Sequence, residues 1–300
     1  MLTHKSTLSG MRRREELLAW LFITPIILGA LIFQLYPTLF SLYTSFTRWN
    51  LLTPPKWVGF KNYVELFTTD RFFFKTMSNT VTYALGVVTA GLILGLFFAV
   101  LLNQNIRGKF IYRAIYFIPV VAPTVAVALL WQWLYEPNFG VLNGLLRTIG
   151  IQGPNWLGNT KWALPSVMFE AIWAGLGFNI LIFLAGLQGI SQEYYEAAEI
   201  DGANGVQKFW NITMPLLSPT TFFILVTGVI GAFQAFDVPF VMTQGGPANA
   251  TQLLVMYLYV NAFRIQKMGL AAAVSYIVFI VIMILTAINF IISKKWVFYE

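Results

Sequence analysis

The stretch EYYEAAEIDGANGVQKFWNITMPLLSP, residues 193–219, holds four acidic residues, one lysine, two glycines and two prolines, and apolar runs flank it on both sides. The surrounding composition sharpens the contrast. Of 300 residues, 58% are hydrophobic and 10% are charged, where a soluble domain carries about 25% charged residues. With a mean hydropathy of +0.69, so few charges cannot cover the apolar surface in water. The chain reads as an integral membrane protein.

A bilayer core needs about 20 apolar helical residues to span it. Six runs qualify, at roughly 17–43, 80–102, 114–134, 164–189, 217–240 and 269–292. They are continuously apolar and do not alternate, which excludes spanning strands and favours helices that satisfy their own backbone. The expected class is an all-α membrane protein with six transmembrane helices. The expected organisation is a basic tail over 1–16, a six-span domain over 17–293 with a polar loop at 190–216, and a short tail over 294–300. The first apolar run continues past Phe33 to Phe46, beyond the about 7–15 residues of a signal h-region, so it is expected to remain as the first span.

An even number of spans puts both termini on one side. Lys5, Arg12, Arg13 and Arg14 precede span one, Arg107, Lys109 and Arg113 follow span two, and Lys294 and Lys295 follow span six. Their density close to the span ends predicts cytoplasmic termini. The opposite segments, 44–79, 135–163 and 241–268, are rich in Pro, Gly and Asn and read as ordered turns. The tryptophans cluster near span ends, as in an interfacial aromatic belt. Gly91 and Gly95 form a GxxxG pair in span two that suits close helix packing.

Several chemistries are excluded. There is no cysteine, hence no disulfide, Cys metal site or thiol nucleophile. His4 is the sole histidine, so no His-based catalytic or metal set exists, and no metal site or bound cofactor is expected. A phosphate-cradling loop needs an upstream glycine before Gly-Lys-Ser/Thr, but Gly108-Lys109 lacks it and is followed by Phe110. Any ATP that drives this chain must bind elsewhere. The net charge of +7 fits basic membrane flanks, and no basic–aromatic stripe for nucleic acid is present.

Two ionisable residues fall within the expected spans, Glu170 and Asp237. A carboxylate at the bilayer centre costs on the order of 3 kcal/mol, so each is expected to face protein or a wet cavity. With Asn179 and Gln234 they are candidates for a solute path. An ion-coupled secondary transporter is the alternative reading, because such proteins use intramembrane charges; two lone carboxylates make a poor relay.

The opening stretch has its own periodicity. Ser191 and Gln192 can begin a helix, and Gly202 can end it in the left-handed position. Tyr195, Ala198 and Glu199 fall on one side, and Glu193, Glu196 and Ile200 on another. Val206, Phe209, Trp210 and Thr213 then follow the i, i+3, i+4, i+7 spacing of a second short helix, which Pro215 is expected to end. A net charge of −3 with an apolar stripe suits docking of a helix into a groove of a soluble partner.

These residues also carry a family resemblance. Glu196-Ala197-Ala198, three residues, Gly202, nine residues, then Ile212-Thr213-Met214-Pro215 resembles the EAA loop of ATP-binding-cassette importer permeases. Met214 stands in place of the usual Leu and Ser191 in place of a frequent Pro. GFKNYVELFTTDRFF, NTVTYAL, NFGVLNGLL and TQGGPANATQLLVMYLYVNAF are similar to segments of the carbohydrate-type, maltose- and glycerol-phosphate-like members. The resemblance spans about residues 20–295 and implies a type I importer permease fold in a bacterial or archaeal inner membrane. It implies a second, similar permease, two cytoplasmic ATPase subunits that hold ATP and Mg²⁺, and an extracytoplasmic binding protein for a sugar or sugar-like solute. Glu196, Ala197, Ala198, Asp201, Gly202 and Phe209 are then the residues expected to meet an ATPase subunit.

Overall fold

Prolines and glycines decide where the helices of this chain bend and where they touch. The computed structural model describes residues 4–104 and 107–298, with side chains from Glu15 onward except those of Lys109 and Phe110. The side chains of His4, Lys5, Arg12, Arg13, Arg14 and Lys109 therefore lie outside the described residues. Helix α1 (His4–Ala30) passes through a π turn (Leu31–Leu35) into α2 (Tyr36–Ser45), and Glu15–Ser45 is long and apolar enough to span. A hairpin of β1 (Thr47–Arg48) and β2 (Lys56–Trp57) pairs Thr47 with Trp57 and Arg48 with Lys56. The short helix α3 (Lys61–Thr68) follows, then α4 (Arg71–Asn103).

Span two was expected to begin at residue 80, but α4 begins at Arg71. Asp70 caps it, its Oδ1 accepting from the amides of Phe72 at 2.9 Å and Phe73 at 3.2 Å. At about 1.5 Å per residue α4 is about 50 Å long, well over a bilayer core of about 30 Å, so its first turns stand outside the membrane.

Span three, expected as one run over 114–134, is broken into α5 (Lys109–Val121) and α6 (Thr124–Leu134), at an angle of 101°. A proline pushes the preceding residue out of the helical region. Ala122, before Pro123, accordingly sits at φ −74° and ψ 144°. After α7 (Val141–Thr148), the fourth span is α8 (Ala163–Gly189).

The polar loop contains α9 (Gln192–Ile200) and α10 (Gly205–Lys208), a π turn (Phe209–Thr213) and α11 (Met214–Leu216); α12 (Ser218–Phe233) follows at a 60° bend. Pro215 does not end this helix. A helical proline clashes with the carbonyl four residues back, here that of Asn211, which lies inside the widened π turn. Pro37 and Phe33 repeat the arrangement in span one.

The chain returns through α13 (Asp237–Thr243), α14 (Leu254–Tyr259) and a π turn (Val260–Arg264) to the last span, α15 (Met268–Ser293). Four single helices and two bent pairs thus account for six spans, by length and composition. Helix α8 packs along α4, α12 lies against α4, and α5 against α8; α15 packs on α2 and α14, and α13 on α6. The α4–α8 seam runs through the GxxxG pair. A Cβ at Gly91 would stand 2.9 Å from the Asn179 Nδ2, and one at Gly95 would stand 2.8 Å from the Asn179 Cβ. Large apolar side chains of span one such as Leu21, Phe22, Ile26 and Phe33 point outward, which suits acyl chains and would promote aggregation in water.

Candidate coupling loop and solute path

The acidic stretch folds as two helices locked to one another. Ser191 begins α9, its Oγ accepting from the Glu193 amide at 3.4 Å. Gly202 has φ +78°. Its amide donates to the Glu199 carbonyl at 3.0 Å, and the Ala203 amide donates to that of Ala198 at 2.8 Å. Those two bonds define a Schellman C-cap, which only glycine enters without a Cβ penalty. Asn204 then opens α10 with a reciprocal capping box: the Gln207 amide donates to the Asn204 Oδ1 at 2.9 Å, and the Asn204 amide to the Gln207 Oε1 at 2.8 Å. The sequence reading missed this box, although Asn204-x-x-Gln207 is its signature.

Two side-chain ties close the unit. The Lys208 Nζ stands 2.6 Å from a Glu199 oxygen, and Tyr195 and Thr213 share a hydrogen bond of 3.0 Å between their hydroxyls. The faces of α9 sort in part as the spacing predicted: Tyr195 and Ala198 are half-buried and Glu193, Glu196 and Ile200 exposed, but Glu199, expected beside Tyr195 and Ala198, is exposed too, as is Ala197. Asp201 and Gly202 are exposed beside them. The expected second stripe splits, because the π turn changes the angular step. Thr213 is buried and Phe209 half-buried, lining a cavity of about 390 Å³ with Val100, Asn103 and Leu187. Val206 and Trp210 face outward at 68% and 61% exposure, and Ile200 reaches 87%. Glu196, Ala197, Asp201 and Gly202 are thus exposed on the same loop as these apolar groups. Phe209 turns instead toward the chain's own helix ends.

The four path candidates lie in different surroundings. Asn179 is half-buried at the α4–α8 seam and lines a cavity of about 380 Å³ between α4, α8 and α12, together with Tyr83, Gly175, Phe178 and Gly228. These companions are neutral, so a search for intramembrane charge passed over them. Glu170 is fully buried on α8 and does not line that cavity. Neither of its oxygens has a hydrogen-bond partner among the described residues. Gln234 and Asp237 were expected within span five, but α12 stops at Phe233. Gln234 is its C-cap and Asp237 begins α13; both are exposed. A carboxylate in the first turn of a helix is favoured by the helix dipole, which accounts for an acid beginning the new helix.

The structure thus combines up to six candidate spans, a doubly capped polar loop between spans four and five and a cavity between helices. The family model described as "Binding-protein-dependent transport system inner membrane component" matches residues 91–297. The probable ABC transporter permease protein YesP of Bacillus subtilis is 40% identical over 96% of this chain and 94% of its own length. The trehalose/maltose transport system permease protein MalF of Thermococcus litoralis is 34% identical over 93% and 95%. The sn-glycerol-3-phosphate transport system permease protein UgpA of Agrobacterium fabrum is 35% identical over 95% and 97%. A chain in the crystal structure of a bacterial ABC transporter involved in import of the acidic polysaccharide alginate superimposes with a TM-score of 0.84, at 24% identity, over 96% of this chain and 99% of that one. The chain belongs to the binding-protein-dependent transport system inner membrane component family and is a multi-pass permease subunit of an ABC importer. The family does not favour the ion-coupled alternative.

Proposed function

We propose that this permease carries a sugar or sugar-like solute and forms one half of the path with a second, similar permease. Two cytoplasmic subunits bind and hydrolyse ATP with Mg²⁺, one of them on the 190–216 loop, and an extracytoplasmic binding protein delivers the solute. The termini and this loop face the cytoplasm of a bacterial or archaeal cell. Glu196, Ala197, Ala198, Asp201 and Gly202 meet the ATPase, and Phe209 backs them from the chain's own side.

The observation that carries this reading is the doubly capped loop, on which Ile200, Val206 and Trp210 are exposed along with Glu193, Glu196, Glu199 and Asp201. Exposed apolar groups on a rigid polar loop are those of a surface that another protein covers. A rigid unit can pass a partner's movement to α8 and α12, to which both its ends are rooted. Taking such a gate from 1:99 to 99:1 needs about 5.5 kcal/mol of differential binding, which the ATP-bound partners must supply. For the solute, the neutral cavity beside Asn179, with Tyr83 and Phe178 as flat walls, suits hydroxyl-bearing rings. The names of the trehalose/maltose and glycerol-phosphate relatives point to the same class.

Reconstitution of the chain with its partner permease, ATPase and binding protein in vesicles tests the reading. Uptake of labelled sugar should need ATP on the loop's side and cease when the ATPase is omitted. Uptake driven by an ion gradient alone would overturn it.

A further inference from the structure

A third cavity, of about 420 Å³, lies far from the coupling loop, at the opposite ends of spans one and six. Arg48, Lys56 and Lys267 line it, with Trp49, Asn50 and a single acid, Glu65. Its charge is +2, three cations less one carboxylate. Glu65 neutralises little of this, since its only ion pair among the described residues is with Lys267 at 3.7 Å, both side chains remaining partly exposed.

The walls are built rather than incidental. Arg48 and Lys56 are paired across the hairpin. The buried Asn62 anchors that hairpin, its Nδ2 donating to the Ser45 carbonyl at 2.8 Å and the Thr47 carbonyl at 2.9 Å. The Met268 amide, where α15 starts, donates to the Trp49 carbonyl at 2.9 Å. Gly269 allows this approach, because a Cβ there would stand 1.8 Å from the Thr47 carbonyl oxygen. Hairpin and span are thus fixed together with three cations around one space.

The depth of the cavity identifies the ligand. It sits just beyond Ser45, the end of α2, and beside Met268, the start of α15, and so at headgroup level for any span that ends there. The route down from it is apolar. Leu39, Phe40, Leu42 and Tyr43 of α2 are exposed, and Phe40 meets the Trp49 ring edge-on at 5.9 Å. Interfacial aromatics mark this level of a bilayer. Cations here also run against the usual inside bias of Lys and Arg, so something other than topology accounts for them.

We propose that this cavity binds the phosphate-bearing headgroup of an anionic lipid of the outer leaflet, whose acyl chains lie along α2. Arg48 supplies the planar donors that suit phosphate oxygens, and Lys56 and Lys267 supply the remaining charge. The lipid would tie the hairpin to both spans.

Native mass spectrometry of the full chain tests this, with phosphatidylglycerol or phosphatidylcholine titrated in detergent and with glycerol phosphate as the soluble source of the same chemistry. Phosphatidylglycerol should be retained at least tenfold more tightly than phosphatidylcholine. Each cation near a headgroup contributes about a fivefold gain, so R48Q/K56Q/K267Q should abolish the preference. E65Q, which leaves every cation in place, should strengthen it about fivefold and serves as a variant with little risk to folding. Retention of glycerol phosphate in place of lipid, lost in the triple variant, would confirm the anion site but overturn its assignment to a lipid. An unchanged preference in a folded triple variant, or weaker binding in E65Q, would overturn the site itself.

Discussion

Gly202 offers a direct way to loosen the coupling loop without touching its surface. Its φ of +78° costs a residue with a Cβ about 1–2 kcal/mol. A Cβ there would meet nothing within 4 Å, so the whole penalty comes from the backbone. The loop has little reserve against it. Helix α9 is nine residues long, too short to be stable alone, and its exposed ion pair with Lys208 adds at most about 1 kcal/mol. A loss of 1–2 kcal/mol lowers the ratio of closed to open turn by about 5- to 30-fold. The apparent affinity for the ATPase falls by up to that factor, since binding requires the competent form. Asn tolerates the left-handed region, whereas Val is β-branched and fits it worst. The expected order in solute-stimulated ATP hydrolysis, and in retention of the ATPase through purification, is Gly202, then Gly202→Asn, Gly202→Ala and Gly202→Val. Wild-type coupling in Gly202→Val, or equal loss in the Asn and Val variants, would refute the claim that turn conformation limits docking.

Three further outcomes follow from the interior and the outer turns. Gly95→Val should force α4 and α8 apart, because even a Cβ at Gly95 lies 2.8 Å from that of Asn179; overpacking of this kind costs about 1–3 kcal/mol and should appear as a lower denaturation temperature in detergent. Glu170→Met removes a buried carboxylate without partners, so stability should rise by about 1–3 kcal/mol with transport retained; lost transport at full stability would return Glu170 to the path. At Glu136, amide donation from Phe139 and Asn138 holds the carboxyl below its ordinary pKa. Its contribution is therefore complete above the unfolded value of about 4.3 and fades as pH falls through the lower folded one; Glu136→Gln should flatten that acid limb, followed by thermal denaturation between pH 3 and 6.

Six apolar runs were legible because lipid leaves helices little choice, and Gly202 was legible because its position after α9 demands a left-handed residue. The breaks were harder to read. Hydropathy is blind to geometry, so Ala122-Pro123 sat unnoticed inside a continuous apolar run, and span five was carried on to residue 240 through Val238, Phe240 and their neighbours, past the end of α12 at Phe233. Pro215 misled in the opposite direction: the π turn that absorbs it is a backbone rearrangement with no composition of its own. The four path candidates were chosen for charge or polarity, and the structure sets them in different surroundings. Glu170 packs into the core and Asp237 is an exposed residue at the start of a helix that otherwise packs on α6 and α8, whereas the cavity beside Asn179 includes glycines and aromatics that look like ordinary span residues. The capping box at Asn204 and Gln207 could have been read directly.

The chain has no cysteine, so a single introduced thiol reports one position. Glu196→Cys, carrying a short photocrosslinker in the assembled importer, tests whether the 190–216 loop is where the ATPase docks. The account predicts one product with the mass of this permease plus one ATPase subunit, diminished in Gly202→Val and absent when the thiol is placed at Asn50 on the opposite face. No product from position 196, or an equal yield from Asn50→Cys, would contradict it.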